Sequence, residues 1–449
     1  MEQKRSSFSG KLGFVLAAAG SAVGLGNIWR FPYLAAKYGG GIFLLVYIIL
    51  ALTFGFALMT AEIAIGRKTG LSPIGAFRAL DKRFTFVGYL GALVPMIILP
   101  YYSVIGGWVT KYLAVFITGA GNATVSDTYF STFAGSTIEP LGWFFLYLAL
   151  TATVVLLGVE KGIEKVSKVM MPVLIVLTLG ISIYSLCQPG AIDGLLYYVT
   201  PNFSAFSVKT VLAAMGQLFY SMSIAMGILI TYGSYMKKDV NLVSSVKQIE
   251  LFDTGIAFLA GLMIVPAVFA FDPTKLEKAG PSLMFEILPK VFHSMPAGNL
   301  IGATFFLLVL FAALTSSISL METVVSVCQD KFKWSRKVSC LAVFAVAIVL
   351  GVPSSLGNGL WSNIKLLGMN FLDFFDFISN SVIMPIVALI TSIFIGYVIK
   401  PKSIIEEVEL SAKFKNKALF VTMIKYVAPV FIILILVSSV LNAFGIFKI

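Results

Sequence analysis

The feature that most constrains the fold is the recurrence of long apolar stretches along almost the whole chain. A bilayer-crossing helix needs about 20 mostly apolar residues, and such a helix satisfies its own backbone hydrogen bonds in lipid. The chain is 58% hydrophobic and 12% charged, so we predict an all-α polytopic membrane protein rather than a soluble one. The predicted spans, about eleven in number, are residues 12–36, 42–66, 87–117, 140–158, 168–187, 210–235, 250–271, 299–328, 338–353, 369–399 and 419–446.

The positions of the basic residues predict how the chain is oriented in the membrane. The net charge is +12, yet the lysines and arginines cluster before the first stretch and after the second, fourth, sixth, eighth and tenth. Loops rich in lysine and arginine stay on the cytoplasmic side. We therefore predict a cytoplasmic N-terminus and, for eleven spans, a C-terminus outside. The positive net charge is therefore explained by the membrane topology, and no nucleic-acid partner is expected.

The first apolar stretch contains a segment that does not suit an ordinary membrane helix. Residues 20–32 read Gly-Ser-Ala-Val-Gly-Leu-Gly-Asn-Ile-Trp-Arg-Phe-Pro. Glycine is a poor helix former, and non-helical backbone is tolerated at membrane depth only where it is buried in protein or lines a cavity. A helix broken here frees carbonyl oxygens to bind a cation and amide N–H groups to bind an anion. The segment therefore predicts a transport site.

A second interruption predicts that the chain is built from two related halves. Residues 221–227 read Ser-Met-Ser-Ile-Ala-Met-Gly and lie in the middle of the sixth stretch. Interrupted hydrophobic segments at corresponding places in two halves indicate the binding site of a transporter. The first and sixth stretches each open a run of five, and an odd number of spans inverts the second run. We predict one domain over residues 1–449, with inverted repeats at about 11–187 and 209–400 and an extra helix at about 419–446.

Several polar residues inside the apolar stretches have both a structural and a functional interpretation. Glu62 can be solvated beside Arg67 at the cytoplasmic end of its stretch, or it can cap free N–H groups of a neighbouring broken helix. Tyr101 and Tyr102 lie within the third stretch, which favours buried hydroxyl groups with hydrogen-bond partners. The three cysteines and the single histidine, His293, match no metal-ligand spacing.

Six short motifs resemble those of one known family of membrane proteins, the neurotransmitter:sodium symporters, and in particular its short bacterial amino-acid members. The resemblance extends from residue 8 to about residue 400. It implies a secondary active transporter of the leucine-transporter fold, not an enzyme, in the plasma membrane of a bacterium. The motifs are Gly20–Pro32, Gly39–Gly41, Pro100–Tyr102, Gly216–Gln217, Ile230–Tyr235 and Leu314–Ser317.

The resemblance implies two sodium ions and no organic cofactor. A small hard cation prefers oxygen ligands, and the carbonyl and hydroxyl groups of broken helices supply them with little fixed charge. The substrate carboxylate is expected to complete the first site. The protein ligands implied for the first site are Ala22, Asn27, Ser221 and Asp253. Those implied for the second site are Gly20, Val23, Ala312, Thr315 and Ser316.

Asp253 departs from the pattern of the family, because many members have asparagine at or next to this position. Chloride-dependent members bind chloride beside the first sodium site, and Tyr47, Gln217 and Ser221 match parts of that chloride site. A fixed carboxylate at Asp253 can replace chloride, since two nearby cations require a compensating negative charge. We therefore predict transport that does not depend on chloride.

The resemblance also implies a pocket for a zwitterionic amino acid. Monoamine carriers of the family have an aspartate where this chain has Gly24, and the glycine leaves room for a substrate carboxylate. That carboxylate is expected to bind the amides of Leu25 and Gly26, the Tyr102 hydroxyl and sodium. The apolar wall and the adaptable Met226 favour a hydrophobic or aromatic substrate side chain. The implied pocket residues are Ala22, Gly24, Leu25, Gly26, Ile98, Tyr102, Tyr220, Ser221, Ser223, Met226, Ser316 and Leu320.

Two charged pairs are implied as gates on either side of this pocket. Arg30 and Asp376 are expected to pair on the outer side, with Tyr220 as an aromatic lid. Arg5 and Asp330 are expected to pair on the cytoplasmic side. Alternating access then means that the two pairs close in turn as one helix bundle rocks against a scaffold, and sodium favours the outward-open state by differential affinity.

Other functions require residues that differ from those of this chain. A proton-coupled carrier of the same fold typically has lysine or arginine in place of the second sodium, where this chain has Thr315 and Ser316. A channel requires a continuous pore lined by polar rings, and an intramembrane enzyme requires a nucleophile with a base or a metal cluster. The residues alone do not separate a carrier from a sensor that binds an amino acid without moving it, nor do they give the oligomeric state.

Overall fold

A computed structural model describes residues 7–272 and 281–445, and nearly all of these residues are helical. The prediction of an all-α membrane protein is confirmed. Arg5, the predicted partner of Asp330, lies outside the described residues. The helices before residue 200 are α1 (Lys11–Ala22), α2 (Gly26–Lys37), α3 (Gly41–Thr69), α4 (Pro73–Leu80), α5 (Lys82–Ile117), α6 (Tyr129–Gly135), α7 (Ile138–Leu156), α8 (Val159–Leu186) and α9 (Ala191–Val199).

The remainder of the described chain is also mostly helical. Its helices are α10 (Val208–Ser221), α11 (Ile228–Ser234), α12 (Leu242–Phe271), α13 (Leu288–Ser294), α14 (Gly298–Phe332), α15 (Arg336–Leu356), α16 (Phe371–Val398), α17 (Lys400–Glu409) and α18 (Lys417–Ala443).

Length and composition identify the helices that can cross a membrane. Within the described ranges, nine continuous helices meet the requirement, and α1 with α2 makes a tenth that is bent by 55°. Helices α10 and α11 occupy the sixth predicted stretch in two pieces separated by residues 222–227. A total of eleven requires that these two pieces count as one span, so the number eleven stays a prediction.

Several helices extend beyond the apolar stretches that predicted them. Helix α12 begins at Leu242 rather than near residue 250, where the Asn241 side chain accepts a hydrogen bond from the Ser244 N–H at 2.9 Å. Helix α8 begins at Val159 rather than near residue 168. Hydropathy marks only the part of a helix that lies in lipid, whereas these polar first turns continue the same helix outside it. Likewise, the predicted outer loops contain the short helices α6, α9 and α13.

Both predicted interruptions are present, and they have different backbone conformations. Helix α1 ends at Ala22, and Val23 is extended with φ −75° and ψ 103°. Between α10 and α11 the chain turns through left-handed residues, with φ 53° at Ser223, 63° at Ala225 and 69° at Gly227. Left-handed backbone is uncommon for residues other than glycine, and strained conformations of this kind concentrate at ligand sites.

The second half of the broken sixth span packs directly on the backbone of α3. A β-carbon added at Gly66 on α3 would lie 1.9 Å from the carbonyl oxygen of Ile230 on α11. A β-carbon at Gly233 on α11 would lie 2.4 Å from the carbonyl oxygen of Ile63. Only glycine permits this approach, which positions Glu62 beside the segment that joins α10 to α11.

Candidate functional site

The two interrupted spans meet at one partly enclosed cavity. Every residue of the predicted pocket lines it, and the neighbouring helices α5 and α14 contribute the rest of the wall. Three further lining residues, Ser21, Asn27 and Ile228, are outside the predicted pocket set. The full lining is Ser21, Ala22, Gly24, Leu25, Gly26, Asn27, Ile98, Tyr102, Tyr220, Ser221, Ser223, Met226, Ile228, Ser316 and Leu320.

Side chains hold the backbone N–H groups that the helix breaks leave free. The Asn27 Oδ1 atom accepts from the Gly24 N–H at 3.0 Å, and the Tyr102 hydroxyl accepts from the Leu25 N–H at 3.2 Å. Glu62, buried at 2% exposure, accepts from the Ala225 N–H at 2.8 Å through Oε1. The interpretation of Glu62 as a cap for a broken helix is confirmed. An uncapped N–H group buried in this way costs about 1–3 kcal/mol.

A single buried carboxylate, Asp253 on α12, connects the two broken spans and α3. Its Oδ1 atom accepts from Asn27 Nδ2 at 2.8 Å and from the Ser221 hydroxyl at 2.6 Å. Its Oδ2 atom accepts from the Tyr47 hydroxyl at 3.2 Å. Among the described residues no lysine or arginine nitrogen lies within 4.0 Å of this carboxylate. The charge is therefore held by neutral donors and is available to a cation.

Gln217, another residue predicted near this carboxylate, bonds to the backbone of the first broken span. Its Nε2 atom donates to the Gly26 carbonyl at 2.9 Å, which fixes the start of α2. Its Oε1 atom is buried and has no hydrogen-bond partner within the described part of the chain. Of the four residues predicted as equivalents of a chloride site, Ser221, Asp253 and Tyr47 are joined by hydrogen bonds, whereas Gln217 bonds to the Gly26 carbonyl.

A second group of oxygen atoms lies where α14 crosses the end of α1. The Ser316 hydroxyl is 3.4 Å from the Gly20 carbonyl oxygen and 3.3 Å from that of Val23. The Thr315 hydroxyl is 3.1 Å from the Ala312 carbonyl oxygen. Ser316 thus joins α14 to the carbonyl oxygens of Gly20 and Val23, whereas the contact between Thr315 and Ala312 lies within α14. Binding of one ion by all five predicted ligands stays a prediction.

The donor atoms of both groups suit sodium rather than a transition metal. They are carbonyl, hydroxyl and amide oxygens with one carboxylate, which are hard ligands. Across residues 7–272 and 281–445, no cluster of three His, Cys, Asp or Glu side chains could hold a metal ion.

The apolar end of the cavity is formed by Ile98, Met226, Ile228 and Leu320. At its polar end, a β-carbon added at Gly24 would lie 2.6 Å from the Ser316 hydroxyl oxygen and 3.0 Å from the Tyr102 hydroxyl oxygen. The lining therefore combines hydroxyl groups and the backbone of both helix breaks with apolar side chains, which suits a ligand with a polar head and an apolar tail.

The predicted outer ion pair is not formed in this structure. Asp376 Oδ1 instead accepts from the Tyr101 hydroxyl at 3.1 Å and from Asn380 Nδ2 at 2.7 Å. The Arg30 guanidinium lies over the Tyr220 ring, 5.5 Å from its centroid, and has no acidic partner within 4.0 Å among the described residues. The pair is apart because both groups have other partners above the cavity.

Hydrogen bonds join the segment that precedes α1 to α8 and to the residues that follow α11. The Phe8 N–H donates to the Tyr235 carbonyl at 3.1 Å, and Lys237 Nζ donates to the Ser9 carbonyl at 2.8 Å. The Ser9 N–H donates to the buried Glu164 carboxylate at 2.8 Å. Asp330 accepts from the Ser72 N–H at 2.7 Å. Sequence reasoning missed the roles of Ser9 and Glu164, which lie 155 residues apart.

A helical membrane protein with two broken spans around a cavity lined by polar and apolar groups has the architecture of a secondary transporter. The profile of the Sodium:neurotransmitter symporter family matches residues 5–132 and 135–446, and the chain belongs to this family. It is 35% identical over 447 residues, 98% of each chain, to an uncharacterized sodium-dependent transporter of Bacillus subtilis.

Two further relatives support the same assignment. An uncharacterized sodium-dependent transporter of Methanocaldococcus jannaschii is 35% identical over 410 residues, 86% of this chain and 80% of the relative. The crystal structure of MhsT in complex with L-phenylalanine is 38% identical, has a TM-score of 0.88 and covers 97% of this chain and 100% of that one. The predicted family and fold class are confirmed, as is a transporter rather than an enzyme.

Proposed function

We propose that this protein is a sodium-coupled symporter that imports a hydrophobic or aromatic zwitterionic amino acid by alternating access and without chloride. The observation that carries the proposal is the cavity shared by both helix breaks, with a buried carboxylate at one side and a cluster of neutral oxygens at another. Family membership supports the dependence on sodium.

In this proposal the first sodium binds between Asp253, Asn27, Ser221 and the Ala22 carbonyl, and the substrate carboxylate completes its ligand shell. The second sodium binds between α1 and α14. Coupling follows because the sodium ion and the substrate carboxylate attract each other at the first site. Neither binds well there without the other. The reciprocity is thermodynamic, so sodium raises substrate affinity by the same factor as substrate raises sodium affinity.

The substrate class is proposed from the polar and the apolar residues that line the cavity. Gly24 keeps the backbone close to Ser316 and Tyr102, since an added β-carbon would lie 2.6 Å from one hydroxyl oxygen and 3.0 Å from the other. The proposal places the substrate carboxylate among these hydroxyl groups and the neighbouring amides. Ile98, Met226 and the other apolar residues are left for the substrate side chain. The related MhsT structure is in complex with L-phenylalanine, which is consistent with an aromatic substrate side chain here.

Alternating access is proposed from the unequal state of the two sides. The cytoplasmic side is held by the contacts of Phe8 and Ser9, whereas Arg30 and Asp376 are apart. Closure of the outer pair and release of the N-terminal segment would then expose the cavity to the cytoplasm. The proposal includes a plasma-membrane location with the N-terminus inside and the C-terminus outside, from the alternate basic loops.

Uptake into proteoliposomes tests the proposal. Purified protein is reconstituted with an inward sodium gradient, and the twenty amino acids are screened as competitors of labelled phenylalanine. We expect concentrative uptake that collapses when sodium is replaced by choline and persists when chloride is replaced by gluconate. Loss of most uptake in gluconate contradicts the chloride-independent part. Substrate binding without counter-flow contradicts a carrier and supports a sensor, and uptake driven by a proton gradient alone supports the proton-coupled alternative.

A further inference from the structure

A lysine without an acidic partner lies inside the last membrane helix. Lys425 belongs to the π-helical turn Met423–Val427 of α18 and is half-buried. Its Nζ atom lies 5.6 Å from the centroid of the Tyr397 ring on α16, and the Tyr397 hydroxyl donates to the Lys425 carbonyl at 2.8 Å. Within the described residues no carboxylate lies within 4.0 Å of Lys425. A charged side chain in a membrane helix is costly unless it is compensated.

Packing against α16 fixes the position of Lys425. A β-carbon added at Gly396 would lie 3.3 Å from Lys425 Cγ, so the glycine lets the lysine side chain pack closely against α16. The Ser392 hydroxyl donates to the Ile424 carbonyl at 2.6 Å and fixes the same turn. The stem therefore packs on protein while the ammonium group lies over the exposed Tyr397 ring, as long basic side chains do near an interface.

The surroundings of Lys425 are those of a membrane interface. Tyr397 is 54% exposed and Tyr426 is 61% exposed, which is typical of the aromatic belt at headgroup level. Helix α16 ends at Val398, and α17 begins two residues later at Lys400. Lys400 is exposed, has a left-handed φ of 62°, and also has no acidic partner within 4.0 Å in the described part of the chain.

The acidic residues near these two lysines are already engaged. Glu407 accepts from the buried Arg67 Nε at 2.8 Å and from Lys238 Nζ at 2.8 Å. Glu409 accepts from Lys417 Nζ at 2.8 Å, and these contacts hold the pKa of that carboxyl below its usual range, first through the Lys417 hydrogen bond. The same contacts tie α17 to α3, which fixes the position of Lys400. The local charge is therefore positive and needs an anion from outside the protein.

We propose that Lys425, Lys400 and Tyr397 form a headgroup site that binds the phosphate of an anionic phospholipid in the cytoplasmic leaflet. The general excess of lysine in cytoplasmic loops accounts for Lys400, but not for a packed lysine within a span beside an exposed tyrosine. The ring of Tyr397 is exposed on a helix long and apolar enough to cross a membrane, which favours a lipid phosphate over a dissolved one. Anionic lipids attract each such lysine with about 1 kcal/mol, or about fivefold in affinity.

Native mass spectrometry of the purified full chain tests the headgroup site. The probes are phosphatidylglycerol and phosphatidylcholine with identical acyl chains, and the variants are Lys425→Gln, Lys400→Gln and the double variant. We expect wild type to retain phosphatidylglycerol at least tenfold more strongly, each single variant to lose about fivefold, and the double variant to lose the preference. Lys161→Gln, a matched loss of one exposed cytoplasmic lysine, is expected to bind like wild type.

Several results would overturn the site. They are equal retention of the two lipids by wild type, an unchanged preference in the double variant, or the same loss in Lys161→Gln. Inorganic phosphate is run beside short-chain phosphatidylglycerol in a thermal-shift titration, and equal stabilisation by both would assign the site to free phosphate. If Lys425→Gln does not fold, Lys425→Arg retains the charge and is expected to keep the lipid preference, and loss of the preference in that variant contradicts the proposal.

Discussion

Replacing Asp253 with asparagine is the sharpest perturbation of the proposed ion site, because it removes one charge and almost no volume. In the structure the carboxylate accepts hydrogen bonds from Asn27, Ser221 and Tyr47. An asparagine oxygen at the Oδ1 position still accepts from Asn27 and Ser221, and the amide group then faces the Tyr47 hydroxyl. The variant Asp253→Asn therefore tests the charge, with a modest rearrangement of hydrogen bonds.

The expected magnitude follows from electrostatics. Two unit charges about 4 Å apart interact with about 4 kcal/mol at an effective dielectric constant of about 20. That energy corresponds to roughly a thousandfold in affinity, and the remaining amide oxygen of asparagine recovers part of it. We expect sodium affinity to fall by about a hundredfold. Tyr47→Phe is the matched control, since it removes one hydrogen bond worth about 1 kcal/mol and leaves the charge.

The assay is a sodium titration of labelled-sodium binding in chloride-free gluconate buffer at constant ionic strength. Asp253→Asn is expected to lose about a hundredfold in affinity, and Tyr47→Phe about fivefold. Adding chloride to Asp253→Asn is expected to restore part of the affinity, because an anion can then supply the missing charge. Sodium affinity of Asp253→Asn within threefold of wild type without chloride would refute the role of this carboxylate.

Three further substitutions test other parts of the account. Gly24→Ala places a carbon atom 2.6 Å from the Ser316 hydroxyl oxygen, and we expect at least tenfold weaker amino-acid binding by equilibrium dialysis, with folding intact by size-exclusion chromatography. Ser316→Ala removes a hydroxyl within 3.4 Å of two carbonyl oxygens of α1, so the sodium concentration for half-maximal uptake should rise about tenfold. Gly66→Ala puts a carbon atom 1.9 Å from a backbone oxygen and should lower stability by about 1–3 kcal/mol in thermal unfolding. Gly142→Ala, with open space at that position, should be neutral and is the control.

The broken spans could be predicted from the sequence because their residues are wrong for plain membrane helices. Three glycines with Asn27 and Arg30 in the first span, and hydroxyl groups with Gly227 in the sixth, have a cost in lipid that only a cavity offsets. The resemblance to a known family then supplied the facing positions on α5 and α14. The lining of the cavity contains every one of those positions.

Other features depend on geometry that local sequence does not encode. Ser21 and Ile228 line the cavity because of how each chain turns at its break, and hydropathy says nothing about that turn. Arg67 and Glu407 pair across 340 residues, so no local pattern could join them. In the proposed mechanism the Arg30–Asp376 distance changes with the side that is open, whereas the sequence is the same in every state.

The most direct test of the central claim is the dissociation constant of the amino acid as a function of sodium concentration. The identified substrate is titrated by calorimetry into detergent-purified protein while sodium replaces N-methylglucamine at constant ionic strength. We predict that affinity rises at least tenfold with sodium, and that substrate raises sodium affinity by the same factor. An amino-acid affinity that is equal with and without sodium would contradict a shared site for ion and zwitterion.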